Sequence, residues 1–216
     1  IRNSTDYRWY LSLQDLDRIG QFFKTGVHPN YKYLSIGGEA ANNQGIYKIL
    51  IGSPISYLQN ISQNKNKRII SGDVLSGKEI NSNHSINYHD EVLSIITTDK
   101  VREFLGWIMP GLKKYSLSNT FLSKILSNKS SNLNTKKNGS VRTIIPMGNW
   151  DKVLPMDILP EFLIKNILAN DIEMMEKLGI YECSPEDFAL CAFVCQSKVE
   201  VSTIIEQGLN VMEVDG

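Results

Sequence analysis

The sequence predicts an α+β chain, with a small sheet-forming unit ahead of a mainly helical C-terminal region. Three observations carry that expectation. Short runs rich in β-branched and aromatic residues lie between positions 31 and 98, bounded by Gly, Asn and Ser clusters. One amphipathic run at helical spacing precedes them, and helical spacing dominates after Glu103. With 216 residues and 42% hydrophobic composition, the chain can bury a core without disulfides or metals.

From Tyr10 to Phe23, apolar residues at 11, 13, 16, 19, 22 and 23 follow a helix, and Gly26 with Pro29 stops it. Residues 31–36 and 45–51 read as strands around a Gly, Asn and Gln turn region. Ser53-Pro54 predicts a short helix through Leu58 and Ile61, with Ser as N-cap and Pro in the first turn. Residues 67–71 and 92–98 are further strands, joined by a loop rich in Gly, Ser and Asn. Two strands, a helix and two more strands compose a unit of the β-grasp kind.

After Glu103, a run over 118–126 repeats Phe121, Leu122, Ile125 and Leu126 at helical spacing. Asp157 is the expected cap of a run holding Leu159, Phe162, Leu163, Ile167 and Leu168. Asn170 with Glu173 suggests a capping box for a short helix ending at Leu178-Gly179. Ser184-Pro185-Glu186-Asp187 predicts another start, with Ser as N-cap, Pro at N1 and acids on the positive helix end. The tract 127–138 is mostly Asn, Ser and Lys and reads as a flexible loop or an edge.

Lys plus Arg equals Asp plus Glu, 23 against 23, so no global field advertises nucleic acid or an acidic substrate. The balance conceals a split. Residues 104–150 carry seven bases and no acid, whereas 151–216 carry 13 acids and four bases. Such a split suggests an intramolecular electrostatic seam or two different docking faces. No apolar run approaches the ~20 residues a membrane helix needs. Cys183, Cys191 and Cys195 are an odd set that suits a reducing cytosol better than a secreted disulfide framework. No signal-peptide pattern is present. The chain opens on Ile1 rather than Met and is expected to be a fragment lacking an N-terminal half.

Gly72-Asp73-Val74-Leu75-Ser76-Gly77-Lys78-Glu79 follows the P-loop spacing until its last position, where Glu79 replaces the Ser or Thr that would ligate Mg²⁺. Asp73 adds a second anion where phosphates would lie, so the stretch reads as a glycine-rich turn. The cysteine spacings differ from the C-x2-C hairpin of zinc sites, and three thiolates cannot complete a four-cysteine cluster. Cys191 and Cys195, four residues apart on a predicted helix, are expected to face the core. His84, His89, Asp90 and Glu91 are the one His/carboxylate grouping, and its Asn and Ser surroundings read as an exposed loop. Residues 104–111 (FLGWIMPG) are dense in apolar and aromatic side chains and predict a core crossover, with an apolar slot for a hydrophobic partner as the functional alternative. No self-contained catalytic, cofactor or metal site is expected.

Several stretches, in order, resemble one family: the A subunit of the bacterial Na⁺-translocating NADH:quinone oxidoreductases. They are 68–77 (RIISGDVLSG), 103–111 (EFLGWIMPG), 114–116 (KYS), 120–123 (TFLS), 138–140 (NGS), 145–148 (IPMG), 154–160 (LPMDILP) and 187–195 (DFALCAFVC). The resemblance covers nearly all of the chain and corresponds to the C-terminal half of that subunit. Gln196-Ser197 departs from it, standing where the family pattern has Pro-Gly.

The resemblance implies the end of a Rossmann-like domain over 1–28, a β-grasp domain of the soluble-ligand-binding type over 29–102, and a mainly helical domain over 103–216. It implies a peripheral subunit on the cytoplasmic face of the bacterial inner membrane, in a redox-driven sodium pump that oxidises NADH and reduces ubiquinone. The subunit's implied role is structural and quinone-associated. Flavins, a 2Fe-2S centre and ubiquinone belong to the whole complex, with no cofactor in this chain. The partners are the other subunits of the membrane complex, with ubiquinone, and not nucleic acid. A free-standing β-grasp ligand-binding or scaffold module is the alternative. Lys129, Lys136 and Lys137, in the Asn/Ser tract, are the candidate docking residues toward the membrane part of the complex.

Overall fold

A computed structural model of the chain describes residues 9–58, 66–98, 104–106, 108–112, 114, 115, 117, 119–126, 135, 137 and 139–215. The chain divides into two compact units. One comprises Lys32–Asp73 and Gly77–Asn138, the other Ile1–Tyr31, Val74–Ser76 and Gly139–Gly216. The architecture is mixed α+β, with a five-stranded sheet in the first unit and helices in the second.

The sheet runs β2-β1-β5-β3-β4, from β1 (Tyr31–Gly37), β2 (Gly45–Leu50), β3 (Lys67–Ser71), β4 (Lys78–Glu79) and β5 (Val92–Thr97). Strands β1 and β5 are parallel, with Ile36 opposite Leu93, and β3 is antiparallel to both β5 and β4. In β1 the period of two buries Lys32, Leu34 and Ile36 on one face. Leu34 and Ile36 join Ile49, Ile55, Leu93 and Ile95 in this unit's core. A Ser, Gly and Asp turn connects β3 to β4, and its Gly77 N–H donates to Asp73 O at 3.0 Å. A Cβ at Gly77 would lie 2.5 Å from the carbonyl oxygens of Ser71 and Asp73, so only glycine closes this hairpin.

The helix expected from Ser53-Pro54 is instead a 3-10 turn over Ile55–Tyr57, and Ile61 lies outside the described residues. Ser53 does not cap it. The hydroxyl donates to Leu50 O at 2.7 Å and is spent on the preceding turn.

In the second unit, α1 spans Leu13–Thr25. Ser12 caps it in a capping box: the Asp15 N–H donates to Ser12 Oγ at 3.1 Å and the Ser12 N–H to the Asp15 carboxylate at 3.2 Å. Gly26, at φ +70°, ends it as the sequence predicts. The helices α2 (Pro160–Ala169), α3 (Ile172–Lys177), α4 (Ala189–Val194) and α5 (Val201–Asp215) pack around Leu163, Ile164, Met175, Phe188 and Ile205. In α5 the positions 201, 204, 205, 208 and 212 are buried, the stripe of a helix that covers a core along one face.

Three helix starts differ from expectation. Asp157 does not cap α2, which opens at Leu159 with Pro160 at N1. Asn170 is not the cap of α3 but the left-handed end of α2, and Asp171 caps α3 by accepting the Met174 N–H at 3.1 Å. Ser184 and Asp187 bond each other's turn, with the Ser184 N–H donating to the Asp187 carboxylate, yet regular α-helix begins only at Ala189. The run over 118–126 also departs: its described residues form a 3-10 turn at Leu122–Lys124 rather than an α-helix. Among the described residues after Glu103, α-helix resumes only at Pro160.

Candidate docking surface

The described residues of 104–126 form a self-tied knot. The Leu122 N–H donates to Pro110 O at 3.0 Å, and Ser123 Oγ donates to Lys114 O at 2.6 Å, joining two stretches of the segment side by side. Lys114 Nζ donates to Gly106 O at 2.6 Å and sits 5.7 Å from the centre of the Phe121 ring, so its charge is held over an aromatic face. Gly111, at φ +66°, lies against that ring, and a Cβ there would meet it at 2.6 Å. Polar groups thus turn inward on one another. The apolar side chains turn out: Phe104 is 84% exposed, Ile108 64% and Ile125 78%.

The core crossover expected for 104–111 is therefore not what the described residues show. Leu105 in the left-handed region, at φ 50°, and Gly111 break the run so that it presents no regular apolar face to a core. Of the candidate docking lysines, Lys137 is exposed, and Lys129 and Lys136 lie outside the described residues. Lys124 is exposed at the end of the knot.

The other sequence candidates are dispersed. The 72–79 stretch is the β3–β4 hairpin, and Glu79 pairs with Arg68 across it at 3.0 Å. His89 packs edge-on to Tyr88, His84 lies in an exposed turn, and the Asp90 carboxylate accepts a hydrogen bond from Ser71. No group of three or more His, Cys, Asp or Glu among the described residues could hold a metal ion.

Sequence reasoning missed Lys32. It is 3% exposed, and its ammonium donates to the backbone oxygens of Asn87 at 2.7 Å, Asp90 at 2.9 Å and Tyr88 at 3.3 Å. Ser71 Oγ accepts the Asn87 N–H at 3.1 Å, so the loop entering β5 is pinned to β1 and β3 together. A lysine on the inward phase of a strand with apolar partners at 34 and 36 is the one signal that could have found it.

Cys183, Cys191 and Cys195 are all buried and free, with Cys191 fully so. Burial, reinforced by Asp187 and Glu182, pushes the Cys183 thiol up to about 12. Burial, with Asp151 and Cys195, pushes Cys191 up to about 11. Thiols retained as neutral core groups are poor nucleophiles. Their contribution to stability is complete below the unfolded value near 9.0 and is lost as pH rises toward 11 and 12. The folded protein is expected to resist a thiol reagent at pH 8 and to lose stability progressively above pH 9. Cys191→Ala with Cys195→Ala should cost about 1–3 kcal/mol through cavities, with serine worse than alanine where its hydroxyl finds no partner. Rapid labelling of the folded protein would contradict this assignment.

No protein-family model matches the sequence. Curated relatives do. The A subunit of the Na(+)-translocating NADH-quinone reductase of Pasteurella multocida is 35% identical over 216 residues, covering 99% of this chain and 48% of the relative. Its counterpart in Vibrio atlanticus is 33% identical over 217 residues, with 99% and 48% covered. That of Haemophilus influenzae is 36% identical over 211 residues, with 96% and 47% covered. The chain spans about half the length of the curated relatives it matches. Sustained along nearly the whole chain, this similarity is to the C-terminal half of the A subunit of Na(+)-translocating NADH-quinone reductases.

Proposed function

We propose that the chain is part of a peripheral subunit of a redox-driven sodium pump, docked on the cytoplasmic face of the inner membrane, in a complex that oxidises NADH and reduces ubiquinone. The observation that carries this reading is identity of 33–36% to the A subunit of such reductases, sustained over nearly the whole chain. No helix among the described residues is long and apolar enough to cross a membrane, which suits a peripheral attachment. The chain's role is structural and quinone-associated. The flavins and the 2Fe-2S centre are those of the other subunits, ubiquinone belongs to the whole complex, and this half contributes no cofactor of its own.

The domain reading is part of the same proposal. A β-grasp domain over 29–102 is supported by a mixed sheet whose first and last strands are parallel neighbours at its middle. Helix α1, with Leu13, Leu16 and Phe23 exposed, suits the last element of a Rossmann-like domain over 1–28. The helices α2 to α5 suit a helical domain within 103–216.

Lys129, Lys136 and Lys137 are the docking charges in this reading, each contributing on the order of 1 kcal/mol near an anionic surface. The test is affinity purification of the tagged full-length protein from mild-detergent extracts of its own membranes. Membrane flavoprotein subunits should co-purify. A triple Lys→Glu variant should lose assembly in a salt-sensitive way while its melting temperature stays within about 2 °C of the parent. Purification alone, without partners, would support the free-standing ligand-binding module instead.

A further inference from the structure

We propose that the knot formed by the described residues of 104–126 is an interfacial lipid anchor, whose outward apolar side chains enter the headgroup boundary of an anionic bilayer. The proposal deepens the docking reading and rests on it.

Exposed apolar residues scattered singly need no explanation, but here Phe104, Ile108, Met109, Leu112, Ile125 and Leu126 all stand exposed within one short knot. The same knot consumes polar groups internally, through Leu122 N–H to Pro110 O, Ser123 Oγ to Lys114 O and Lys114 Nζ to Gly106 O. Pairing of this kind lowers the cost for a non-helical segment of leaving bulk water, because unsatisfied backbone groups oppose entry into a poorly hydrated layer.

Charge selects the occupant. From 104 to 150 the sequence holds seven bases and no acid, and Lys124 and Lys137 are exposed. Protein interfaces are depleted in lysine at their cores, whereas lipid anchors combine lysines with Phe, Trp and Leu so that the apolar groups enter and the ammonium groups stay at the phosphates. A sequence stretch that holds bases and no acid, with the exposed Lys124 next to Ile125 and Leu126, matches a phosphatidylglycerol-rich surface.

The experiment is flotation of the full-length protein with phosphatidylglycerol/phosphatidylethanolamine vesicles and, separately, with phosphatidylcholine vesicles, at about 0.1 M salt. The wild type should partition onto the anionic vesicles at least ~10-fold more strongly than onto the zwitterionic ones. Ile108→Ser combined with Ile125→Ser should lose ~10-fold or more of that partitioning, with circular dichroism and melting unchanged. Lys124→Glu should lose a smaller, salt-dependent part. Should the double variant unfold, Ile125→Ser alone carries the comparison. Absence of binding to anionic vesicles, or equal binding by wild type and serine variants, overturns the anchor. If vesicles are not bound but the serine variants fail to co-purify with membrane subunits, the knot is a protein interface: the lipid proposal is wrong and the subunit reading stands. Vesicle binding without any co-purifying subunit has the opposite meaning.

Discussion

Gly38→Ala is expected to be the most damaging single-methyl change in the sheet unit. Gly38 follows β1 at φ +106°, and a Cβ there would lie 2.1 Å from the Ile95 carbonyl oxygen and 2.8 Å from the Ile95 nitrogen. The chain leaving β1 crosses directly over the backbone of central strand β5, and the Ala40 N–H donates to that same Ile95 oxygen at 3.1 Å. No flexible side chain is present to yield, so the sheet must open. The expected loss is about 3 kcal/mol or more, from backbone strain and steric overlap together. Gly52→Ala is the control. Its φ of +81° is also unfavourable to alanine, but nothing lies within 4 Å of the new methyl. That change should cost only about 1 kcal/mol. Equal melting temperatures for the two variants would contradict the close approach at Ile95.

Lys32→Met should be the second large effect. Methionine keeps the stem that fills the inward phase of β1 but removes the donor shared by the carbonyls of 87, 88 and 90. Those carbonyls lie on an exposed loop and water can recover part of the loss, so about 2–3 kcal/mol is expected. Lys78→Met, on exposed strand β4, should stay within about 0.5 kcal/mol of the parent. Amide exchange should report the difference locally. The 87–90 loop is expected to lose protection in the Lys32 variant before the sheet does. Uniform destabilisation with no local change at that loop would show that Lys32 acts through packing alone.

The strands were legible because alternation and β-branched runs such as Ile69-Ile70 and Ile95-Ile96 are set by burial on a pleated surface. Strand β4 was not, since two residues carry no period. Helix ends were misplaced wherever several capping residues competed. Asn170 and Asp171 are adjacent, and either could cap; the left-handed geometry that ends α2 falls on Asn170 and leaves Asp171 the role. Ser53 looked like a cap because its alternative acceptor, Leu50 O, is visible only once the turn is folded. The burial of Cys191 and Cys195 followed from chemistry that sequence does carry, small apolar groups four residues apart, although Cys191 lies within α4 and Cys195 at the extended residue that ends it. Exposure of the described apolar residues within 104–111 did not, because an apolar segment is read as core unless its turns are known. The charge split around it was plain in sequence, although two of its three proposed docking lysines lie outside the described residues.

The proposed service of this chain in a sodium-dependent NADH–quinone reductase has one direct test. The most direct measurement is quinone reduction by NADH in membranes from source cells, with and without Na⁺, after removal of the gene and after its restoration. Na⁺-stimulated activity is expected to disappear with the gene and to return with the wild-type copy. Full Na⁺-stimulated activity in membranes lacking the protein would contradict that proposal.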